Sequence, residues 1–160
     1  MLVGPRNTRR RVRGFTLIEL VTTITVIGVL ATLALPSFRA FVANQRIRNV
    51  SFDLMAALTL ARSEAVTRNR SVDLKRTGTS WGGGWTVEEG TRTFHSQEAY
   101  KDLAISDSSG LGAITYGKDG RTVTTSTKFT IAPLAAIAGV SSRCISIGLS
   151  GLPSSSMGAC

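Results

Sequence analysis

The sequence has few of the side chains that bind metals or perform acid–base catalysis. Its 160 residues include two cysteines and one histidine, His95. A structural zinc site needs four Cys or His ligands, so we expect no metal, and no sequence motif indicates another cofactor. The segment Gly82–Gly84 lacks the Lys-Ser/Thr pair of a phosphate-binding loop, and no nucleophile–base spacing is present. The composition therefore disfavours an enzyme.

Acidic residues are also scarce, and the positive charge is unevenly distributed. The chain carries 19 Lys and Arg against 10 Asp and Glu, a net charge of +9. Five arginines precede residue 15, whereas residues 71–160 carry eight basic and seven acidic side chains. A uniformly basic domain would suggest nucleic-acid binding. Here the excess lies mainly in a short N-terminal segment, so we do not favour that function.

One long apolar run interrupts this otherwise polar chain. Residues 15–35 read FTLIELVTTITVIGVLATLAL, with one charged side chain, Glu19. As a helix, 21 residues span about 31 Å, the thickness of a bilayer core. Their twelve Leu, Ile, Val and Phe side chains favour insertion by about 4–7 kcal/mol, which exceeds the ~3 kcal/mol cost of Glu19. The arginines before it indicate that this end faces the cytoplasm.

A cleaved secretory signal and a plain signal anchor are the alternatives. A secretory signal has a shorter apolar core and a small-x-small cleavage site. A plain anchor explains the helix but leaves Glu19 unexplained, because an unpaired carboxylate in lipid is costly.

Beyond the run, helical periodicity resumes after Pro36, which we expect to bend or loosen the helix. Apolar residues recur at three- and four-residue steps through residue 70, which predicts an amphipathic helix over residues 37–70. From Ser71 onward, alternation replaces this pattern. We predict strands at residues 71–77, 85–89, 113–116, 122–131 and 143–149. Turns are predicted at 82–84 and 118–120, and a loop at 150–160.

The residues at the start of the run resemble a known signal. Gly14-Phe15-Thr16-Leu17-Ile18-Glu19 is similar to the cleavage and methylation signal of type IV pilins and type II secretion pseudopilins. Residues 60–66 with Asn69, the pair Gly84-Trp85 and the triplet Asp119-Gly120-Arg121 further resemble the GspH/FimT branch of that family. The resemblance is strong up to residue 70 and looser beyond it.

The resemblance implies an α+β pilin-like fold, a long N-terminal helix packed on a small antiparallel β-sheet head. The implied segments are a leader (1–14), a transmembrane helix (15–36), an amphipathic helix (37–70) and a periplasmic β-rich head (71–160). A prepilin peptidase would cut between Gly14 and Phe15 and methylate Phe15. Glu19 and Pro36 match family positions involved in assembly.

The function implied is that of a minor pilin, a structural or priming subunit of a type IV pilus. The alternatives are a GspH-like minor pseudopilin of a type II secretion system and a FimT-like DNA receptor for natural transformation. The implied partners are other pilins or pseudopilins, the prepilin peptidase and the inner-membrane assembly platform. The subunit would sit as a single-pass protein in the bacterial inner membrane before it enters the filament.

The two cysteines and three basic residues bear on these alternatives. If the head lies outside the cytoplasm, Cys144 and Cys160 predict a disulfide rather than two free thiols. Members on the pilus side often close a terminal loop in this way. A FimT-like receptor has a C-terminal Gly-Arg-x-Arg pattern, where this chain has Gly151-Leu152-Pro153-Ser154. DNA contact would then depend on Arg121, Lys128 and Arg143 forming one cluster.

We predict that the mature chain begins at N-methylated Phe15. Gly14 lets the backbone fit a narrow protease cleft, and the preceding arginines hold the site at the cytoplasmic face. N-terminal mass spectrometry of membrane-extracted protein checks this prediction. A chain that still begins near Met1, or that is cut after Ala34, would contradict it.

Overall fold

A single helix dominates the first part of the chain. The computed structural model describes residues 14–160, and its helix α1 runs from Leu17 to Arg68. Two compact units divide between Ser37 and Phe38. In the first unit, the described helical residues form a segment with a mean hydropathy of 2.1, long and apolar enough to cross a membrane. The predicted leader residues 1–13 lie outside the described part of the chain.

Helix α1 ends in a recognisable cap. Asn69 adopts a left-handed conformation, with φ of 54°, and its N–H bonds to the Val66 carbonyl at 3.3 Å. The N–H of Arg70 bonds to the Ala65 carbonyl at 3.2 Å. These two bonds are those of a Schellman motif, which satisfies carbonyls left free at a helix C-terminus. The polypeptide then turns directly into the first strand.

The second unit contains two antiparallel four-stranded sheets. The first has the strand order β3-β2-β1-β5 and the second β4-β6-β7-β8. The strands are β1 (Val72–Arg76), β2 (Trp85–Glu89), β3 (Arg92–Gln97), β4 (Leu103–Asp107), β5 (Ala113–Tyr116), β6 (Thr127–Pro133), β7 (Arg143–Ile147) and β8 (Pro153–Met157). The predicted class, a long helix with an antiparallel β head, is confirmed.

One face of the second half of α1 supplies the centre of the core. Its buried residues recur at three- and four-residue steps, so they lie on one side of the helix. They are Ile47, Val50, Ser51, Leu54, Ala57, Leu58, Ala61 and Ala65. Apolar side chains from both sheets join them in one buried cluster. Trp81 and Phe129 meet edge to face at 4.9 Å within it, which links the β1–β2 connection to the second sheet.

Four predicted strands agree closely with the structure, and a fifth was placed too early. Residues 122–126 were predicted as part of a strand, but β6 starts at Thr127. The reason is that Thr122 bonds elsewhere: its N–H reaches the Leu149 carbonyl and its hydroxyl the Gly148 carbonyl. These bonds tie Thr122 to the β7–β8 turn, and the Val123 N–H bonds to the Thr115 carbonyl of β5 at 2.9 Å, so the segment does not extend β6.

Three strands were missed. β3 is mostly exposed, and β8 lies in the Ser-rich tail that was predicted to be a loop, so neither shows apolar alternation. β4 does alternate, with Leu103 and Ile105 buried, but the pattern covers only five residues. The tail prediction is therefore wrong for residues 153–157. β8 pairs with β7 along its whole length, and Pro153 at its start is tolerated because β8 is an edge strand.

The glycine turns are where they were expected. Residues Trp81–Gly83 form a short 3₁₀ helix in the connection between the paired strands β1 and β2. Gly84 follows with a φ of 93°, and a Cβ there would overlap the Gln97 carbonyl. Only glycine fits both constraints.

We predict that Leu54→Ala lowers the free energy of unfolding of the second unit by about 2–5 kcal/mol, because it leaves a cavity in the core. Leu54 is fully buried, whereas Phe52 on the same helix is 64% exposed. Phe52→Ala is the matched control and should change stability by no more than about 0.5 kcal/mol. Urea unfolding of residues 38–160 measures both, and equal losses would contradict the assignment of the buried face.

Candidate assembly site and the head surface

The start of α1 is stabilised by its own side chains. Thr16 precedes the helix, and its Oγ1 accepts a hydrogen bond from the Glu19 N–H at 3.3 Å. A Thr followed three residues later by Glu is the sequence of a capping box, in which the hydroxyl satisfies a free N–H of the first turn. The Glu19 carboxylate also lies at the positive end of the helix dipole. Sequence reasoning missed the cap, although the T-x-x-E spacing carries the signal.

The threonines in the apolar segment need no outside partner. Each donates its hydroxyl to a carbonyl one turn back, at 2.7–2.8 Å; they are Thr22, Thr23, Thr25 and Thr32. Such bonds lower the cost of placing a hydroxyl in lipid. Glu19 is then the one strongly polar side chain between Leu17 and Leu35.

Glu19 and the predicted cleavage point are both accessible. Gly14 and Phe15 precede the helix, and the Phe15 side chain is 85% exposed. None of the ion pairs among residues 14–160 includes Glu19. The described residues thus leave this carboxylate free to meet a positive group from another molecule.

Pro36 does not interrupt the helix. It lies inside α1, and the helical assignment continues on both sides of it. Because proline has no N–H, the carbonyl one turn earlier loses its helical hydrogen bond, which is the usual cause of local loosening. The helix therefore continues past Pro36, and the bend or loosening expected at this residue stays a prediction.

The cysteines join the chain terminus to the second sheet. Cys144 and Cys160 form a disulfide with a Cα–Cα distance of 5.0 Å. The Cys160 N–H also donates to the Thr130 hydroxyl at 3.2 Å, and the Gly158 N–H donates to the Ser142 carbonyl at 2.8 Å. The last residues thus fold back from the edge strand β8 across β7 towards β6.

The three basic residues proposed for DNA do not form one strip. In the β6–β7 register, Lys128 pairs with Ser146, and Arg143 pairs with Ile131. Ile131 is buried, so Arg143 lies on the core-facing side of the sheet and Lys128 on the opposite face. Arg121 lies in a separate turn after β5, where the Asp119 carboxylate accepts its N–H at 3.1 Å.

The two tryptophans offer no stacking surface for bases either. Trp81 and Trp85 are both almost completely buried, and the Trp81 indole donates to the Leu111 carbonyl at 3.0 Å. His95 is exposed on β3 opposite Val87. The tryptophans are therefore part of the hydrophobic core.

The tyrosines are poor candidates for acid–base chemistry. Tyr100 donates its hydroxyl to Asp53 at 2.8 Å, and burial together with this carboxylate raises the pKa of Tyr100. Burial also raises the pKa of Tyr116 to about 12, although nearby Arg62 acts in the opposite direction. Both phenols stay protonated at neutral pH.

The triplet Asp119-Gly120-Arg121 has a structural role that the sequence did not reveal. Arg62 on α1 donates its Nε–H to the Gly120 carbonyl at 2.8 Å. Gly120 has a φ of 72°, and a Cβ there would lie 2.9 Å from the Val66 side chain. This turn therefore docks closely on the helix, and glycine makes the approach feasible.

Comparison with known families agrees with this architecture. Residues 52–151 match the family described as "Type II transport protein GspH". The chain belongs to the GspH family. Residues 9–35 match the "Prokaryotic N-terminal methylation motif". The GspH family consists of pilin-like proteins of the minor pilin and pseudopilin type, and the motif with its apolar helix fits a membrane-anchored pilin.

Solved structures show the same fold for the GspH-family head. The chain is similar to the type IV minor pilin FimU of Pseudomonas aeruginosa (strain PAO1), with a TM-score of 0.62 and 22% identity. The match covers 71% of this chain and 90% of FimU. A second crystal form of FimU gives a TM-score of 0.60.

Curated relatives match part of the chain. The chain is 38% identical over 70 residues to the "Type IV major pilin protein PilA" of Myxococcus xanthus (strain DK1622). It is 43% identical over 47 residues to the "Type IV major alpha-pilin" of Moraxella bovis. Each match spans 30% of the relative's length.

We predict that the disulfide stabilises the second unit by about 3 kcal/mol, because it closes a loop of 16 residues' separation in the unfolded chain. Cys144→Ser with Cys160→Ser should therefore lower the free energy of unfolding by that amount. Forming the disulfide removes two hydrogen atoms from the thiols. The intact mass should therefore rise by the mass of two hydrogens when the protein is reduced, which checks the bond. Two alkylatable thiols in exported protein would contradict it.

Proposed function

We propose that the protein is a minor pilin, a structural or priming subunit of a type IV pilus. The observation that carries the proposal is the apolar helix start, where an exposed Phe15 precedes a capped turn that contains Glu19. Every other polar side chain of the following span bonds to its own helix. An uncompensated carboxylate at this position favours a partner supplied by a neighbouring subunit.

The partner with suitable chemistry is the N-terminal amine that cleavage creates. Cutting between Gly14 and Phe15 releases a positive group four residues before Glu19. In a low-dielectric environment an ion pair between this amine and the Glu19 of an adjacent subunit is strongly attractive, while either charge alone is costly. Addition of subunits side by side therefore satisfies both charges. Pro36 would contribute by loosening the helix as it packs among its neighbours.

Two observations favour the pilus over the secretion filament. The head shares the fold of FimU, described as a type IV minor pilin, and part of the chain resembles two type IV major pilins. The terminal Cys144–Cys160 loop is a further feature of pilus-side members. The proposed partners are other pilins, the prepilin peptidase and the inner-membrane assembly platform. The subunit would reside in the inner membrane with a periplasmic head.

The second candidate is a minor pseudopilin of a type II secretion system. The observation that favours it is the family match over residues 52–151, whose description names type II transport. DNA capture is less favoured, because Lys128 and Arg143 lie on opposite faces of one sheet. Immunodetection of the protein in the sheared filament fraction separates the two candidates. A minor pilin should disappear from this fraction in cells that lack the pilus and should remain in cells that lack the type II secretion system.

We predict that Glu19→Ala and Glu19→Gln both reduce incorporation into filaments while the protein remains folded and membrane-bound. Losing one partner of a buried ion pair costs about 3–5 kcal/mol, so we expect at least a roughly tenfold loss. The measurement is the ratio of the protein in the sheared filament fraction to that in the membrane fraction.

Thr16→Ala is the matched control, because it removes the helix cap and keeps the charge. It should preserve incorporation. If Glu19→Gln assembles normally while Glu19→Ala and Thr16→Ala both fail, capping and not charge is the role of this turn, and the ion-pair mechanism is wrong.

A further inference from the structure

The connection between β6 and β7 is unusually apolar for an exposed loop. Residues 134–142, which we call the apolar loop, have the sequence LAAIAGVSS, and no charged residue occurs between Lys128 and Arg143. Leu134 is 71% exposed and Ile137 38% exposed. Two phenylalanines near the start of the second unit, Phe38 and Phe41, are 64% and 60% exposed. Clustered exposed apolar side chains of this kind mark an interaction surface.

The apolar loop is fixed to the helix beside these phenylalanines. The Asn44 side chain donates to the Gly139 carbonyl at 2.9 Å and accepts the Ser141 N–H at 3.2 Å. Phe38, Pro133 and Ile137 line one shared cavity. The loop therefore lies beside the helical residues 38–46 of the second unit.

Three of the nine backbone N–H groups of the apolar loop are bonded within the second unit. The Leu134 N–H bonds to the Asp102 carbonyl, and the Val140 N–H bonds to the Ile137 carbonyl, both at 3.1 Å. Asn44 holds the Ser141 N–H, so the loop is fixed to the rest of the second unit near both of its ends.

Chain connectivity brings this surface close to lipid. Phe38 follows Leu35, the end of the apolar run, by three residues, at most about 11 Å of extended chain. The polar headgroup layer on each side of a bilayer is roughly 5–7 Å thick. When the apolar run spans the bilayer, chain connectivity alone therefore keeps Phe38 at or near the headgroups.

The charges around the loop fit a phosphate layer. Arg39 and Arg46 line the cavity on one side of it, and Arg48 and Arg143 line a second cavity on the other. Asp102 is the acidic side chain at the first cavity and pairs with Arg46 at 3.6 Å. Apolar side chains flanked by arginines are typical of surfaces that lie in a membrane interface.

We propose that the apolar loop inserts into the headgroup layer of the membrane before the subunit joins a filament. Leu134 and Ile137, together with Phe38, would contact acyl chains, and the arginines would contact lipid phosphates. A second copy of the chain is the competing occupant, but it offers no phosphates for the four arginines. The inference rests on the proposed membrane anchoring of residues 15–36 and does not depend on which filament the protein joins.

The test places a fluorescent reporter on the loop of the full chain in lipid vesicles. Leu134→Trp is compared with Val123→Trp, a control that is also 71% exposed but lies before β6, at the opposite end of that strand. The native tryptophans are buried, so subtracting the parent spectrum isolates the new residue. We expect Leu134→Trp to shift to the blue and to be quenched by lipids brominated on their acyl chains, and Val123→Trp to show neither change.

Three results would overturn the proposal. A blue shift without quenching by brominated lipid means that protein covers the loop. Water-like emission from Leu134→Trp means that nothing covers it. Equal quenching of both variants means that the head collapses on lipid without using the loop. Flotation of the same vesicles reports anchoring separately: protein that does not float overturns the anchoring together with the inference, whereas floated but unquenched protein overturns the loop alone.

Discussion

The burial of one face of α1 between Ile47 and Ala65 is the interaction on which the head depends. Side chains from both sheets complete the cluster that this face begins. Small residues at Ala57, Ala61 and Ala65 let backbone approach the helix closely, and Gly120 uses this proximity when its turn docks on Arg62. Without this helix face, neither four-stranded sheet would have an apolar surface against which to bury its inner side.

The first half of the same helix obeys the opposite rule. Its large apolar side chains are exposed in the isolated chain, and its threonine hydroxyls are bonded to their own helix. This pattern suits an environment without water, where every polar group must find an internal partner. Glu19 is the exception, because its carboxylate has no partner in its own helix. Its position four residues after the predicted cleavage point suits the proposed ion pair with an adjacent subunit.

The head carries its partner-directed features at its periphery. The disulfide ties the terminus over the outer face of the second sheet, and the apolar loop lies beside the first turns of the second unit. Burial makes the two tryptophans unsuited to base stacking, and the raised pKa values of the two tyrosines make them unsuited to proton transfer at neutral pH. These peripheral features are consistent with a subunit that binds its partners through the surface of the head and through the helix.

The sequence alone determined the elements whose physical requirements are local. Side chains near one another in the chain set the 21-residue apolar run, the helix period of 3.6 and alternating strands such as 85–89. These elements can therefore be predicted from local patterns. The T-x-x-E cap at Thr16 belongs to the same class and could have been found.

Tertiary structure decided the rest. The Ser-rich residues 153–157 are a strand only because β7 offers them a free edge, and Lys128 and Arg143 are separated only because the β6–β7 register places them on opposite faces. Register and edge pairing depend on residues far apart in the chain, which is why no local pattern encodes them.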